Sequence, residues 1–356
     1  MEISVHLQSP ISILHFMNEF KQLSEQMRQA VNAEMKNVLN ASEAQPDLFH
    51  GMLHYHMGWR DEQLQPADVN AGKQIRPVIC LLGCQAAGGD WQQAIPAAAA
   101  IEMLHNFSLI HDDIEDASPT RRGRKTLWTI WGMEQAINAG DAMFAMAHLA
   151  LNRLVDRGVA AETAVHALRR FDETCVALTQ GQHADMHFET RDSVSVDEYL
   201  AMITGKTAVL LSLCTELGAL IAGRDAQTIH NYAQFGLNLG LAFQVIDDIL
   251  GIWGDEERIG KSASTDILTK KKTLPVLYGL SQNEALRQLY QQENTDEAFV
   301  QKAIQVLNST GARDFATERA TYYSQTALQH LEEAQPAGPA FAALNQLSAM
   351  LLNRDF

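Results

Sequence analysis

Two acidic clusters close long apolar runs in this chain, and they restrict its fold more than any other feature. The first, Asp112-Asp113-Ile114-Glu115-Asp116, follows Ile101-Glu102-Met103-Leu104-His105-Asn106-Phe107-Ser108-Leu109-Ile110. The second, Asp247-Asp248, follows Leu241-Ala242-Phe243-Gln244-Val245-Ile246, about 135 positions later (247 − 112). Both runs read as buried helix, so both clusters fall at helix C-termini, where the dipole disfavours negative charge. Asp112 and Asp116 are i,i+4 and share a face, where two carboxylates repel. A solvated helix end is the bland alternative, and the apolar lead-in argues against it. Carboxylates so placed are costly unless neutralised. A hard divalent cation does this, and Mg²⁺ in turn holds phosphate oxygens. The pattern therefore points to Asp112, Asp116 and Asp247 as metal ligands on two helices that face each other across a cavity and grip a diphosphate. Four residues beyond Asp247 stands Gly251, so the second wall cannot stack another acid one turn on.

The rest of the chain reads as helix after helix. Alanine, leucine and methionine fill the apolar positions, and β-branched alternation is scarce. A long amphipathic helix is expected over 11–41, then short helices and loops over 42–71. An apolar run over 77–87 is broken by Gly88-Gly89-Asp90, and a long buried helix over 91–116 leads to a basic loop over 119–125. Further helices are expected near 132–156, 160–189, 195–222, 226–252, 273–282, 296–310, 312–333 and 338–352. Residues 283–297 are the best loop candidate. No repeat and no low-complexity linker divides the chain. The expectation is a single all-α domain over 1–356, with about ten or more helices around a central cavity.

Composition narrows the function. The chain has 356 residues, and a formal net charge of −16 argues against non-specific nucleic-acid binding and against an anionic membrane surface. No run of about 18 uninterrupted apolar residues predicts a membrane span. The N-terminus lacks the basic and apolar regions of a secretory signal. Four cysteines, Cys80, Cys84, Cys175 and Cys214, make neither a disulfide framework nor a zinc site, so a reducing cytoplasm is the expected compartment.

An anionic substrate in so acidic a chain needs local cations, and they come in groups. Lys73 and Arg76 lie in Gly72-Lys73-Gln74-Ile75-Arg76-Pro77, and Arg121-Arg122-Gly123-Arg124-Lys125 follows the first acids. Lys206-Thr207 sits inside an apolar helix, Lys261 follows Gly260, and Lys270-Lys271-Lys272 precede Thr273-Leu274-Pro275. A lone basic run is usually a solvated face. Several separate groups, two of them beside acid motifs, exceed what one metal-neutralised diphosphate requires. A second diphosphate, bound without metal, accounts for the surplus.

Taken in order, GKQIRP, HDDIEDASPTRRGR, GKTAVL, FQVIDDILGIWGD and GK followed by KKKTLP resemble the trans-isoprenyl diphosphate synthases of the polyprenyl synthetase family. The resemblance runs from about Gly72 to Tyr278, and more loosely to both ends. It implies the isoprenoid synthase fold and Mg²⁺, three ions per active site, held by Asp112, Asp116 and Asp247 with Asp113 and Asp248 in support. It implies that Arg121, Lys206, Lys261 and Lys272 bind an allylic diphosphate. Lys73, Arg76, His105 and Arg122 would bind the diphosphate of isopentenyl diphosphate, Thr207 and Gln244 would line the reacting centre, and Gln182 and Asp185 would lie nearby in the inner cavity. It also implies a homodimer. Many members carry an acid where this chain has Gly251, which puts a third ligand from the second motif in doubt.

The implied reaction ionises the allylic diphosphate, lets the double bond of isopentenyl diphosphate attack, and then loses a proton. An aromatic at Phe107, with no extra residue in the first motif, goes with C20 products in this family. The small Ser108 would leave the floor open, and a bare helical wheel turns Phe107 about 140° from Asp112. Geranylgeranyl diphosphate is the expected product, and farnesyl diphosphate is next. A terpene cyclase on the same fold would leave Lys73, Arg76 and Arg122 without a task. A regulatory subunit should have lost acids from one cluster. His183 and His187 (i,i+4) read first as surface or packing histidines; His54 and His56 alternate around Tyr55 near the cation motif, where an approach of one of them to substrate is the lesser alternative.

Overall fold

The computed structural model describes residues 10–41, 46–69, 72–254, 265–292 and 295–353. These residues are mostly helical. The helices are α1 (Pro10–Val38), α2 (Leu48–His56), α3 (Ile75–Ala86), α4 (Ile95–Glu115), α5 (Leu127–Trp131), α6 (Met133–Asn152), α7 (Ala161–Thr190) and α8 (Val196–Ile203). A π-helical turn over Thr204–Ala208 leads into α9 (Val209–Ile221). There follow α10 (Ala226–Trp253), α11 (Thr265–Leu268), α12 (Leu274–Gln282), α13 (Glu284–Tyr290), α14 (Glu297–Ser309), α15 (Ala312–Glu333) and α16 (Gly338–Asn353). Among the described residues the only strands are β1 (Thr120–Arg121) and β2 (Arg124–Lys125), an antiparallel pair. The all-α expectation holds.

Local chemistry starts these helices where they start. Asp47 and Asp225 accept from backbone amides at the heads of α2 and α10. Ser195 and Glu198 form a reciprocal capping box on α8, which satisfies two orphan donors at once. Pro96 sits in the first turn of α4, where a missing N–H costs nothing.

The helices fall into two compact units. The first takes in the described residues up to Arg169, with 217–223 and 337–343. Its centre is α4, packed by α1, α3 and α6. Ala97, Ala98, Ala99 and Ala100 are all fully buried, and such small side chains let neighbouring helices approach closely. Gly218 has no room for a Cβ against the backbone of Cys80 and Cys84, so here too the chains meet backbone to backbone. The buried Glu34 is held by Arg153 (2.5 Å) and Arg157 (2.9 Å).

The second unit comprises 170–216, 224–336 and the described residues from Leu344. Here α10 runs along α15, and one apolar cluster gathers Phe188, Tyr199, Met202, Leu241, Val245, Leu274 and Leu277. A second cluster gathers Ile252, Ile267, Val276, Leu286, Phe299 and Leu307. The polar stretch expected to be a loop contains α13, which Asn283 caps and whose Leu286 and Leu289 are buried. Seven residues with two apolar anchors are too short to show periodicity. Two helical stretches, 196–221 and 226–253, are long and apolar enough to cross a membrane by length and composition, yet 56% of each apolar window is buried within the protein, as in core helices. All four cysteines are buried and unbridged.

Candidate active site

In the first unit the GKQIRP segment turns sharply before α3. Gln74 takes a left-handed conformation (φ 48°), and its amide exchanges two hydrogen bonds with Asn32 of α1 (3.0 and 2.9 Å). Anchoring Gln74 fixes the segment that carries Lys73, which is exposed, and Arg76. Arg76 lies 3.3 Å from Nε2 of His105 on α4. Gly72 has a positive φ (107°), and a Cβ there would stand 2.7 Å from the Arg122 guanidinium, so only glycine lets that side chain lie against the loop. The structure thus brings Arg76, His105, Arg122 and the segment of Lys73 together.

Two further groups complete this cradle, Glu102, which the sequence did not single out, and His56, which it read as a lesser candidate. Glu102, one turn before His105, is 3% exposed and accepts from Asn106 (3.3 Å). Burial raises its pKa, while Arg76 and Arg122 pull it back down. It is a counter-ion that keeps two arginines from repelling each other. An acid inside the apolar run Ile101–Ile110, in helical register with His105 and Asn106, was the available signal. His56 of α2 faces Arg122 and Arg121. Burial first, then Arg122 and Arg121, push its pKa down to about 3. His105 is lowered well below its ordinary value for the same reasons, burial first and then Arg76 and Arg122. Both imidazoles are therefore neutral at physiological pH. His54, by contrast, is a packing residue that bonds to the Leu39 carbonyl (2.8 Å).

The basic segment after the first acids is a tight hairpin rather than an open loop. Its ladder pairs Thr120 with Lys125 and Arg121 with Arg124, so Arg122 (φ 51°) and Gly123 (φ 76°) form the turn. Both central residues have positive φ, as in a type I′ turn. A left-handed arginine costs about 1–2 kcal/mol, and strain of this kind tends to gather at functional positions. The hairpin is tied down by Arg124, which donates to the carbonyls of Tyr55 (2.8 Å) and Arg60 (2.7 Å). Arg121 bonds through Nε to Asp113 (2.7 Å). A small cavity of about 30 Å³ is lined by His56, Asp113, Arg121 and Arg122, among others.

At the end of α4 the acids divide. Asp113 is buried and takes Arg121, with burial raising its pKa and Arg121 opposing that. Asp112 is half-buried and Asp116 exposed on successive turns, with the Asp116 amide bonded to the Asp112 carbonyl (2.8 Å). Phe107 packs on Phe144 of α6 and on His111, with ring centroids 5.1 and 4.8 Å apart. Ser108 bonds back to the His105 carbonyl (2.8 Å).

In the second unit Lys206 and Thr207 lie in the π-turn. Such one-residue excesses are frequent at functional sites. Gly181 of α7 makes room for it, since a Cβ there would collide with the Lys206 backbone. Lys206 pairs with Asp185 of α7. The Thr207 hydroxyl donates to the Gln244 carbonyl oxygen (3.1 Å), and the Gln244 amide donates to Asp248 (3.2 Å). Asp247 is exposed. Asp248 is 3% exposed and also accepts from the Tyr199 hydroxyl (2.5 Å) and the Leu274 amide (3.1 Å). Gln182, on the buried side of α7, is half-buried.

Among the three lysines, Lys272 turns away from the acids. It donates to the carbonyls of Phe188 and of Arg191 (2.5 Å) at the end of α7, and burial, with Arg191 nearby, lowers its pKa. Lys271 faces the carboxylates instead. Burial works against its charge, but Asp266, Asp185, Asp248 and Asp247 hold its pKa above the ordinary value. Asp266 fills the space beside Gly251, where an added Cβ would collide with it. Lys261 and Asp255 lie outside the described residues. His183 and His187 are exposed on α7, with rings stacked 6.2 Å apart.

The accessible acids fit Mg²⁺. Asp112 and Asp116 present hard oxygens from one helix face, and their buried neighbour Asp113 is bonded to Arg121. Among the described residues no three His, Cys, Asp or Glu side chains converge on one point. A bound Mg²⁺ would complete its shell with phosphate and water oxygens, as this ion commonly does.

Comparison with known proteins gives one answer. Residues 61–307 match the polyprenyl synthetase family. A geranylgeranyl diphosphate synthase of Mycobacterium tuberculosis is 41% identical over 301 residues, which is 83% of this chain and 85% of that protein. A (2E,6E)-farnesyl diphosphate synthase of Mycobacterium bovis is 44% identical over 227 residues, 64% of this chain and 62% of that one. The crystal structure of a polyprenyl synthetase from Streptomyces coelicolor A3(2) superimposes with a TM-score of 0.84 at 31% identity, covering 92% of this chain and 98% of that chain.

Proposed function

The chain belongs to the polyprenyl synthetase family, and on that premise we propose that it is a prenyltransferase. It condenses isopentenyl diphosphate head-to-tail with allylic diphosphates. The product is a short-chain trans prenyl diphosphate, geranylgeranyl diphosphate (C20) first and farnesyl diphosphate (C15) second. Asp112, Asp116 and Asp247 are the ligands of Mg²⁺, three ions per active site. When bound, Mg²⁺ draws charge off the leaving diphosphate. Arg121, Lys206 and Lys271 stabilise the same anion, with Lys261 in support. Lys271 replaces Lys272 in this role because it is the lysine turned toward the carboxylates.

The carbon–oxygen bond at C1 of the allylic substrate breaks with its electron pair on the diphosphate. The π pair of isopentenyl diphosphate then forms the new bond to C1, and the proton lost from C2 passes to the departed diphosphate. The dipoles of Thr207 and Gln244 face the developing cation. Lys73, Arg76, His105 and Arg122 hold the diphosphate of isopentenyl diphosphate without metal. Phe107 sets the length at which the growing chain stops.

The observation that carries this reading is the basic cradle of Arg76, His105 and Arg122, closed by Gly72 and by the counter-ion Glu102. A cyclase has one diphosphate to hold and no use for such a cradle. Lys73→Ala is the test. It is expected to raise KM for isopentenyl diphosphate about tenfold or more, the scale of one lost charge-assisted contact, with KM for the allylic substrate nearly unchanged. Equal loss for both undoes the two-site assignment.

We further propose that the protein works in the cytoplasm as a homodimer, each chain acting as one catalytic domain. The exposed Met133 and Ile137, four residues apart and so on one face of α6, support the dimer.

A further inference from the structure

Asp247 and Asp248 are adjacent in the chain and opposite in situation. Asp247 is exposed, while Asp248 is 3% exposed and receives three donors from three elements. Tyr199 of α8 gives its hydroxyl at 2.5 Å, the first amide of α12 (Leu274) stands at 3.1 Å, and Gln244 gives its amide at 3.2 Å. The bond from the Leu274 amide lets the carboxylate cap a helix whose own N-cap, Thr273, makes no side-chain cap bond. The protein itself thus supplies donors to both oxygens of Asp248.

The consequence lies one residue further on. A primary amide can turn over, and its two ends are chemically opposite. Asp248 accepts the NH₂ end of Gln244, so the carbonyl end must face Thr207, whose hydroxyl donates to it at 3.1 Å. The chain of bonds runs from Tyr199 to Asp248 to Gln244 to Thr207. The Tyr199 ring is 3% exposed within the cluster of Phe188, Met202, Leu241 and Val245, so its hydroxyl is the polar part of an otherwise apolar fit. Phenylalanine would fill the same space. The hydroxyl therefore adds direction more than volume.

We propose that Tyr199 is a positioning residue for the reacting centre: its hydroxyl fixes Asp248, which fixes the orientation of Gln244 and so aims the Gln244 and Thr207 dipoles. This rests on the prenyltransferase reading above, in which Gln244 and Thr207 face the cation. Preorganised dipoles act only if they need not reorient during the reaction, and a site holds its geometry only as well as its supports do.

The test is a double-mutant cycle of Tyr199→Phe and Gln244→Ala, with condensation measured under saturating Mg²⁺ for wild type and every variant. Tyr199→Phe is expected to lower kcat about tenfold to a hundredfold, the usual scale for a supporting partner, with KM for both substrates within about twofold. In the Gln244→Ala background the same change is expected to cost nothing more, because the residue that it positions is gone. Wild-type kcat in Tyr199→Phe overturns the proposal, and so do losses that multiply across the cycle. Should Tyr199→Phe fail to fold, Asp248→Asn gives the second route. It is expected to lower kcat and to leave Mg²⁺-dependent binding of an unreactive allylic diphosphate analogue intact. Weakened analogue binding at normal kcat would mean that Asp248 serves the metal, and the proposal falls. A wild-type protein that turns over no short primer refutes the prenyltransferase reading instead, so the two failures are distinct.

Discussion

Paired acids in this chain have separate tasks, and helix geometry decides which. Successive residues on an α-helix are turned by about 100°, so when Asp112 or Asp247 reaches solvent its neighbour turns inward. Asp113 there meets Arg121, and Asp248 meets Tyr199. The sequence pointed to the doublets, but support of the metal by Asp113 and Asp248 was an assignment that only side-chain surroundings could refine. The three lysines over 270–272 pose the same problem, since adjacent identical residues give no clue to which one turns inward. Asp112→Ala is expected to cut turnover roughly 100-fold or more, as expected for losing a ligand of the charge-neutralising ion. Wild-type rates from the purified variant would count against the metal role. His56 gives a prediction about pH. Its folded pKa of about 3 lies below its ordinary 6.5. Between those values the unfolded chain holds a proton that the folded chain refuses. Stability from this group is complete above pH 6.5 and is lost as pH falls toward 3, by at most ~1.4 kcal/mol per pH unit. Urea unfolding of His56→Gln between about pH 4 and 6.5 is expected to show a shallower slope against pH than wild type. Parallel curves would refute the assignment.

At the scale of elements, the long helices were legible because apolar residues recurring at helical spacing over long stretches leave little choice of structure. The fine structure within them was not. The π-turn of Thr204–Ala208 falls inside a run that reads as uninterrupted helix, and the room for it is left by a neighbour distant in sequence, Gly181. The hairpin over 120–125 was hidden because its turn places an arginine, not glycine or asparagine, at the first left-handed position. A glycine in the left-handed position before α3 would have signalled that turn; the chain uses Gln74 and secures it through Asn32 instead. Gly181→Ala is expected to destabilise the protein by about 1–3 kcal/mol, the usual cost of overpacking, and to lower kcat by displacing Lys206 and Thr207. A variant with unchanged urea midpoint and unchanged kcat would show that the close approach has no consequence.

At the scale of the whole molecule, the acidic charge of −16 and the anionic substrates are reconciled locally. Cations are gathered by one loop and one hairpin in the first unit, and by a π-turn and a three-lysine segment in the second. This arrangement is legible in the family motifs, because each couples a charge to the backbone device that places it. Glu102 and Tyr199 went unnoticed because their importance lies in what they hold and not in what they contact. The account stands or falls on condensation of two diphosphates. Purified protein, Mg²⁺ and isopentenyl diphosphate are incubated with each short allylic primer, and the products are dephosphorylated and sized. Linear alcohols growing in five-carbon steps and accumulating at C20 are predicted. Cyclic hydrocarbon formed from the allylic primer, with isopentenyl diphosphate left unconsumed, would contradict it.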